Sequence, residues 1–396
     1  MKSKIIIIAG FVVAVAAILL FTMKPSDAPA PASSASAGGS GSAAPPPAGV
    51  EISMLYSSEK KDWIDAAAAA FQKLHPEIKL TLKAQGSIAL AQAIVDGKEK
   101  PTIVSPADTL VLNLLVSDWQ TKNKSDLFAT SGDDAPAPLV ITPLVFVAWE
   151  DRAEVLLKAS GGVISWKAIH KAVTSNEGWP AIKGKSEWGF VKLGHTDPTQ
   201  SNSGLQALLS MTLEHYGKAT GLEVGDVLKP KYQEYIKGLE KGVPKFEVST
   251  GQFMTDMIRF GPSKYDVAVV YENLAISQIE NAQGRWGTLK IYYPATTLWS
   301  DHPVAVTKGD WVTPAQKAAA KVFLDYLKSR PAQEQALAFG FRPADPTVPL
   351  KTADAKNPFT RLAAQGVKLD INPMAQPPDG QVVRNLMMMW TRVAAR

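Results

Sequence analysis

The chain has 396 residues, which is long enough for two domains with their own cores, and it contains no cysteine. The lack of cysteine excludes disulfides, thiolate metal sites, cysteine nucleophiles and a lipid-modified N-terminal cysteine. The formal charge is +5, of which three lysines and one aspartate before residue 28 contribute +2. The remaining excess of +3 is too small and too evenly spread to indicate a nucleic-acid-binding protein.

The chain begins with a short basic stretch followed by an apolar run over residues 5–23, which Lys24 closes. A membrane-spanning helix needs roughly 17–25 apolar residues, whereas the core of a signal peptide needs only about 7–15. We therefore predict a single-pass anchor over residues 1–24, with the rest of the chain on the periplasmic or extracellular side of the cell membrane. Cleavage as a signal peptide is the alternative, although the only A-x-A sequence nearby, at 35–37, lies far beyond the apolar run.

Residues 25–49 consist of proline, alanine, serine and glycine with a single aspartate. This composition cannot bury a core and predicts a disordered linker. A flexible coil of this length would hold the following domain roughly 25–30 Å from the membrane surface.

From residue 50 the chain alternates predicted strands with predicted helices, and a hydroxyl-rich loop joins each strand to its helix. Strands are predicted over 52–56, 78–82 and 102–104. This alternation predicts an α/β fold with a parallel or mixed sheet and helices on both faces. Ligands bind beyond the carboxyl ends of the strands in such sheets, so the loops are candidate ligand contacts. Their candidate residues are Ser57, Ser58, Ser87 and Ser105.

The segment Gly194–Gly204 is the most informative of these loops. A strand is predicted over 189–193, and a helix with one apolar face follows the loop, which Pro198 keeps open until about residue 201. Ser203 and Gln206 have the spacing of a capping box. Hydroxyl and N–H groups at a helix N-terminus suit an anion or a carboxylate-like group, although a capped turn without a ligand is the alternative. The candidate contacts here are Thr196, Ser201, Asn202, Ser203 and Gly204.

Two breaks in the pattern predict two lobes joined by hinge crossovers. The first break lies at 133–138, before a β-like run over 139–149 that we interpret as two strands because Pro143 interrupts it. The second break lies at 289–295. The predicted first lobe comprises 50–140 and 295–396, including helices at about 314–329 and 331–339 and an amphipathic C-terminal helix that caps its core, and the second lobe comprises 141–294.

Five stretches of the chain resemble a known family: 55–60, 84–87, 193–204, 269–272 and 339–344. They are similar to the type II periplasmic solute-binding proteins of ABC importers, above all to the molybdate- and sulfate-type members, and the likeness covers essentially all of 50–345. The resemblance implies a two-lobed fold that closes around its ligand by hinge motion.

In molybdate-type members, hydroxyl and N–H groups from the first two strand–helix loops hold the oxyanion from one lobe. A serine or asparagine loop and a tyrosine after a late strand hold it from the other. For this chain the resemblance therefore implies contacts from Ser57 or Ser58, from Ser87, from residues 201–204 and from Tyr271. Glu272 departs from this pattern, because a carboxylate in the cleft would repel a dianion unless it pairs or points away; with an organic solute it becomes a candidate ligand contact.

The resulting prediction is an exported, membrane-tethered solute-binding protein without catalytic activity, cofactor or metal. Its ligand is a small polar solute, with an oxyanion favoured, and its partner is a membrane permease. A sensory or assembly module that passes ligand state to another membrane protein is the alternative, because both functions need the same cleft.

Three other patterns in the sequence are typical of different functions. Ser57 and Lys60, like Ser58 and Lys61, have the Ser-x-x-Lys spacing of serine hydrolases, but the companion motifs are missing. His195 lacks partners at metal-ligand spacing and is expected to hydrogen-bond to the backbone. The adjacent tyrosines 292–293 resemble those of ferric-ion binders, but they precede a proline and favour hinge packing.

Overall fold

The computed structural model describes residues 49–371 and 374–394. The predicted anchor and the predicted linker, apart from Gly49, lie outside these residues and stay predictions. Within the described ranges no helix is long and apolar enough to cross a membrane. These ranges belong to one compact unit built on two sheets.

The first sheet has five strands, and the first three along the chain are parallel. The strands are β1 (Val50–Ser57), β2 (Ile78–Gln85), β3 (Ile103–Ser105), β4 (Ala137–Pro138) and β10 (Pro303–Val306). Their order is β2-β1-β3-β10-β4, with β10 antiparallel to both of its neighbours. Ser57 lies opposite Gln85, and Tyr56 lies opposite Ser105, so the carboxyl ends of β1, β2 and β3 meet at one edge.

The second sheet has six strands arranged around one long central strand. The strands are β5 (Val140–Trp149), β6 (Leu193–Gly194), β7 (Val267–Tyr271), β8 (Leu289–Tyr292), β9 (Trp299–Ser300) and β11 (Arg342–Pro343). β5 pairs antiparallel with β7, β8, β9 and β11, and β6 runs parallel to β7. We call the region around the first sheet the first lobe and the region around the second sheet the second lobe.

The central strand corrects the prediction that Pro143 separates two strands, because β5 runs through it without a break. Residues 140–141 pair with β11 and residues 144–148 pair with β7, so Pro143 lies where the strand changes partners. On the other side of β5, Pro143 lies opposite Trp299 at the end of the two-residue pairing with β9. The chain passes between the sheets at residue 139, at 301–302, and once more before β11.

Helices pack on both sheets. They are α1 (Lys61–Leu74), α2 (Ser87–Val95), α3 (Thr109–Asn123), α4 (Glu150–Ala159), α5 (Trp166–Thr174), α6 (Asn202–Tyr216), α7 (Val224–Leu228), α8 (Pro230–Glu240), α9 (Thr250–Phe260), α10 (Glu272–Gln278), α11 (Pro314–Lys328), α12 (Arg330–Ala338), α13 (Pro358–Arg361) and α14 (Gly380–Ala394). In α1 the buried residues Trp63, Ile64, Ala67 and Phe71 recur at helical spacing, which is why this segment packs as a helix against the first sheet.

The C-terminal helix α14 does not cap the first lobe, contrary to the prediction. It packs mainly on α7 and α8 of the second lobe, and only a few of its residues approach α3. The Trp390 indole N–H donates to the Glu240 carboxylate at the end of α8 over 2.7 Å, which fixes the position of α14 on the second lobe. The amphipathic pattern predicted the helix and its buried face correctly, but the choice of lobe depends on partners distant in sequence.

Candidate ligand-binding cleft

The carboxyl ends of strands from both sheets meet at a buried polar interface between the lobes, which we call the cleft. Ser57, Ser87 and Ser105 end or follow the three parallel strands of the first sheet, and all three are buried. The lobes touch directly here, because the Ala89 N–H on α2 donates to the Gln200 carbonyl of the second lobe over 3.2 Å. The parallel register of the first sheet is what brings these loops together.

In four helical segments that begin at this cleft, the side chain of the N-cap residue makes no capping bond, although the Asn273 N–H of the last one donates to the Thr142 hydroxyl over 3.2 Å. The four segments are the 3-10 turn Ser58–Lys60 after β1, and helices α2, α6 and α10. Side-chain caps normally satisfy some of the free N–H groups of a first helical turn. Helix starts without such caps present N–H groups and the positive end of the helix dipole to whatever lies in the cleft.

Lys60 is fully buried at the floor of the cleft. The 3-10 turn directs its ammonium group to the Ser57 hydroxyl, to the carbonyls of Ser105 and Pro106 at 3.0 and 3.1 Å, and to His302 Nδ1 at 3.1 Å. Burial lowers the pKa of Lys60 to about 8, against the opposing effect of the Glu59 carboxylate, so the side chain is still charged at neutral pH. A charged ammonium group has no lone pair with which to accept a proton, and here it donates to two carbonyls. Lys60 is therefore arranged as a structural cation and not as a general base.

His302 lies beside Lys60 with a left-handed backbone, at φ 42°. Burial and the Lys60 charge hold the pKa of His302 well below its usual range, so the ring is neutral. Its Nδ1 therefore accepts from Lys60, even though the Glu59 carboxylate lies 3.3 Å from the same nitrogen. The Glu59 oxygen consequently receives no proton from this ring.

Asp108 joins the two lobes across the cleft. Its Oδ1 caps α3 by accepting from the Val111 N–H over 3.0 Å. Its Oδ2 accepts from Asn202 Nδ2 over 2.6 Å and from Gln206 Nε2 over 2.8 Å, both on α6 of the second lobe. Burial raises the pKa of Asp108 to about 6, and the three hydrogen bonds offset part of this rise.

The loop before α6 differs from the predicted capping box. α6 begins at Asn202 with Ser201 at the N-cap, so Ser203 lies inside the first turn. The Ser203 hydroxyl bonds to those of Thr196 and Thr250, at 2.8 and 2.7 Å, and Gln206 reaches Asp108 instead of turning back to the cap. The capping-box prediction was therefore wrong, because these hydroxyls find partners on α9 that local spacing does not reveal.

Gly204 has a structural role in the same loop. A Cβ on this residue would lie 2.2 Å from the Thr196 carbonyl oxygen, so only glycine permits the close passage of the two backbones. Thr196, Ser201, Asn202 and Ser203 are all buried beside it. The structure thus brings this predicted set together.

Tyr271 and Glu272 are adjacent in sequence but have different surroundings. The Tyr271 hydroxyl accepts from Asn202 Nδ2 over 2.9 Å and lies in the cleft. The Glu272 carboxylate accepts two bonds from the Arg342 guanidinium, at 2.7 and 2.8 Å, and one from the Tyr293 hydroxyl. Both carboxylate oxygens of Glu272 are therefore occupied within the protein, and the residue pairs with β11 instead of joining the cleft serines.

His195 is buried without any metal-like grouping around it. Its Nδ1 is 2.8 Å from the Thr196 carbonyl oxygen and its Nε2 is 2.8 Å from Glu240. The predicted hydrogen bond from His195 to the backbone is present. The contact with the Glu240 carboxylate was not predicted. Across residues 49–371 and 374–394 no cluster of three or more His, Cys, Asp or Glu residues could hold a metal ion.

Sequence reasoning missed several residues of the cleft: Glu59, Asp108, Gln206, Asn273 and His302. Asp108 offered a signal, because an aspartate just before an apolar helix is a typical N-cap. For Lys60 the sequence pattern indicates only the Ser-x-x-Lys spacing of a catalytic pair. Ser58, by contrast, was predicted and lies only half-buried at the start of the 3-10 turn.

Comparison with known proteins places this geometry in context. Residues 52–342 match the model of a family described as bacterial extracellular solute-binding protein. No curated protein sequence matches the chain.

Three solved structures share the fold at low sequence identity. The sulfate-binding protein SubI from Mycobacterium tuberculosis has a TM-score of 0.53 at 18% identity, covering 76% of this chain and 88% of that one. The periplasmic binding protein AfuA from Actinobacillus pleuropneumoniae, with fructose-6-phosphate bound, has a TM-score of 0.55 at 15% identity, covering 87% and 98%. An extracellular solute-binding protein from Bordetella parapertussis has a TM-score of 0.53 at 16% identity, covering 87% and 99%.

Proposed function

Because the chain belongs to the bacterial extracellular solute-binding protein family, we propose that it captures a small polar solute in the cleft between its lobes and presents it to the permease of an ABC transporter. The observation that carries this proposal is the convergence of uncapped helix starts from both lobes on one buried cleft. Closure of two lobes around a solute requires contacts from both sides, and these helix starts supply them.

An anionic or strongly polar acceptor on the solute fits this cleft. Helix N-termini favour negative charge, and the main objection to an oxyanion was the carboxylate of Glu272. Its pairing with Arg342 removes that objection. Oxyanions are therefore among the first ligands to test.

The test is a thermal-unfolding screen with sulfate, molybdate, tungstate, phosphate, sugars and small carboxylates. A true ligand at 100 times its Kd stabilises a protein by about 2.7 kcal/mol, which produces a clear rise in Tm.

The position of the ligand is tested by calorimetry on Tyr271→Phe with the solute that the screen finds, because this change removes only a hydroxyl of the cleft. Tyr292→Phe is the matched control outside the cleft. Equal affinity of the two variants would contradict the placement of the ligand.

We also propose that residues 1–24 tether the domain to the cell membrane through the linker that follows. The support is the length of the apolar run and its basic flanks. The full-length protein should sediment with membranes, resist a high-salt wash and dissolve only in detergent. A soluble exported form that begins near residue 38 would show a cleaved signal peptide.

A further inference from the structure

Buried polar atoms that lack a hydrogen-bond partner are concentrated in the cleft. Of the nine such side-chain atoms among the described residues, six belong to it. They are Glu59 Oε1, Ser105 Oγ, Asn202 Oδ1, Gln206 Oε1, Asn273 Oδ1 and His302 Nε2. Folded proteins pair nearly all of their buried polar atoms, so a cluster of unpaired ones marks a place that a bound molecule completes.

The three amide oxygens in this set are true acceptors, because their orientation is fixed by the other end of each amide. The NH₂ groups of Asn202 and Gln206 both donate to the Asp108 carboxylate. The NH₂ group of Asn273 donates to the Glu59 backbone carbonyl over 3.2 Å. A carboxylate and a carbonyl can only accept, so rotating any of these amides would destroy the bond. With Glu59 Oε1, the cleft holds four acceptor oxygens that need donors.

The protein itself has little donor capacity left for them. The Lys60 ammonium already contacts four groups. Because Nδ1 of the neutral His302 ring accepts from Lys60, Nε2 carries the ring proton, so among the unpaired atoms only this N–H and the Ser105 hydroxyl can donate. By formal charge, the two acidic side chains Glu59 and Asp108 outnumber the one basic side chain Lys60 among these residues. A bare dianion such as sulfate or molybdate brings no donor and would leave all four oxygens unpaired next to a carboxylate.

We propose that the ligand is a small organic acid that carries its own hydroxyl or ammonium donors, and that sulfate and molybdate are excluded. This inference rests on the proposed function, since it names the solute class for the same cleft. The acidic group of the solute lies at the uncapped helix starts, and its donors face Glu59 and the amide oxygens of Asn202, Gln206 and Asn273.

The experiment is titration calorimetry with probes matched in their carboxylate and differing in donors: acetate, glycolate and L-serine, together with sulfate and molybdate. We expect glycolate or L-serine to bind at least tenfold more tightly than acetate, and no heat from sulfate or molybdate. Glycolate adds only a hydroxyl to the carboxylate, whereas L-serine adds a hydroxyl and an ammonium, so the difference between these two probes measures the effect of the ammonium.

Glu59→Gln gives a second, independent measurement, because it replaces a charged acceptor by an amide that can also donate. It should weaken binding of the donor-bearing acid at least tenfold and reduce the discrimination against sulfate. Glu51→Gln, at an exposed position on the preceding strand β1, is the control and should bind like the wild type.

Sulfate or molybdate binding as tightly as the donor-bearing acids would overturn this inference and leave the proposed function standing. Failure of every solute, here and in the wider screen, would overturn the proposed function and the inference with it. A Glu59→Gln variant with unchanged preference for donors would refute the role of this acceptor set.

Discussion

At the scale of single residues, the cleft is organised by two buried charges of opposite sign on the first lobe. Lys60 draws the ends of β1 and β3 together through Ser57 and the carbonyls of Ser105 and Pro106. Asp108 reaches across to α6. Each charge is buried and each has several hydrogen-bond partners, so removing either one leaves orphaned groups behind.

Lys60→Met should lower the free energy of unfolding by about 1–3 kcal/mol, because two carbonyls and a hydroxyl lose their donor in a buried site. Lys61→Met is the matched control: the Lys61 side chain is mostly exposed and pairs only with Asp65, so the change should stay within about 0.5 kcal/mol. Urea unfolding of both variants measures the difference. Similar values for the two would show that Lys60 is not a structural cation.

Asp108 should make the folded protein less stable as the pH rises from about 4 to about 6. Its pKa is about 6 in the folded state against the ordinary 3.8, so the folded state binds the proton more tightly and loses that advantage across this window. Over this pH range the contribution of Asp108 to the free energy of unfolding should fall by about 3 kcal/mol. Asp108→Asn cannot ionise, so the wild-type curve minus the variant curve, from urea unfolding at several pH values, should fall by that amount. A flat difference would contradict the buried ionisation.

Among the helices and strands, local sequence patterns predicted the strand ends of the first sheet but not the contacts between distant parts of the chain. The ends of β1, β2 and β3 were predicted to share an edge because parallel strands with short loops place their carboxyl ends together, and Ser57, Ser87 and Ser105 lie there. The contacts that complete the cleft come from far along the chain. His302 is 242 residues from Lys60, and no local pattern joins them.

Partners distant in sequence also explain why the pairing of Glu272 and the packing surface of α14 were not predicted. Arg342 neutralises Glu272 from 70 residues away, so the sequence showed only an unpaired acid beside Tyr271. For α14, an amphipathic face specifies that a helix packs but not the surface on which it packs.

The orientation of α14 can be tested on two neighbouring methionines. Met389 is 2% exposed within the second-lobe core, whereas Met388 is 62% exposed. Met389→Ala should cost about 2–5 kcal/mol of unfolding free energy, because it leaves a cavity. Met388→Ala should cost less than about 0.5 kcal/mol, since it changes only the surface. Denaturant unfolding measures both, and the reverse order would mean that the helix packs through its other face.

At the scale of the whole molecule, closure of the lobes depends on a close approach at Gly86. A Cβ there would lie 2.6 Å from the Gln200 carbonyl oxygen and 2.7 Å from that of Val248, both on the second lobe. The backbone of Gly86, at φ −60°, is one that any residue can adopt. A side chain at this position therefore obstructs closure without straining its own lobe.

Gly86→Ala should weaken solute binding at least tenfold, or about 1.4 kcal/mol, and increase the radius of gyration in small-angle scattering. Gly251→Ala is the control, because its Cβ would meet the Ser58 carbonyl oxygen of the opposite lobe at an ordinary 3.7 Å. Calorimetry and scattering on both variants, with unfolding as a check on the fold, decide the matter. Wild-type affinity in Gly86→Ala would mean that binding does not require the lobes to approach as they do here.

The bridge from Asp108 to Asn202 and Gln206 also prepares the cleft before a solute arrives. The carboxylate holds both NH₂ groups, so the amide oxygens are already oriented, and the two lobes are already joined. The measured Kd is the intrinsic constant divided by the fraction of molecules in the binding-competent arrangement, so a bridge that raises this fraction strengthens binding. The same bridge must break before the lobes separate, so tighter capture comes with slower release.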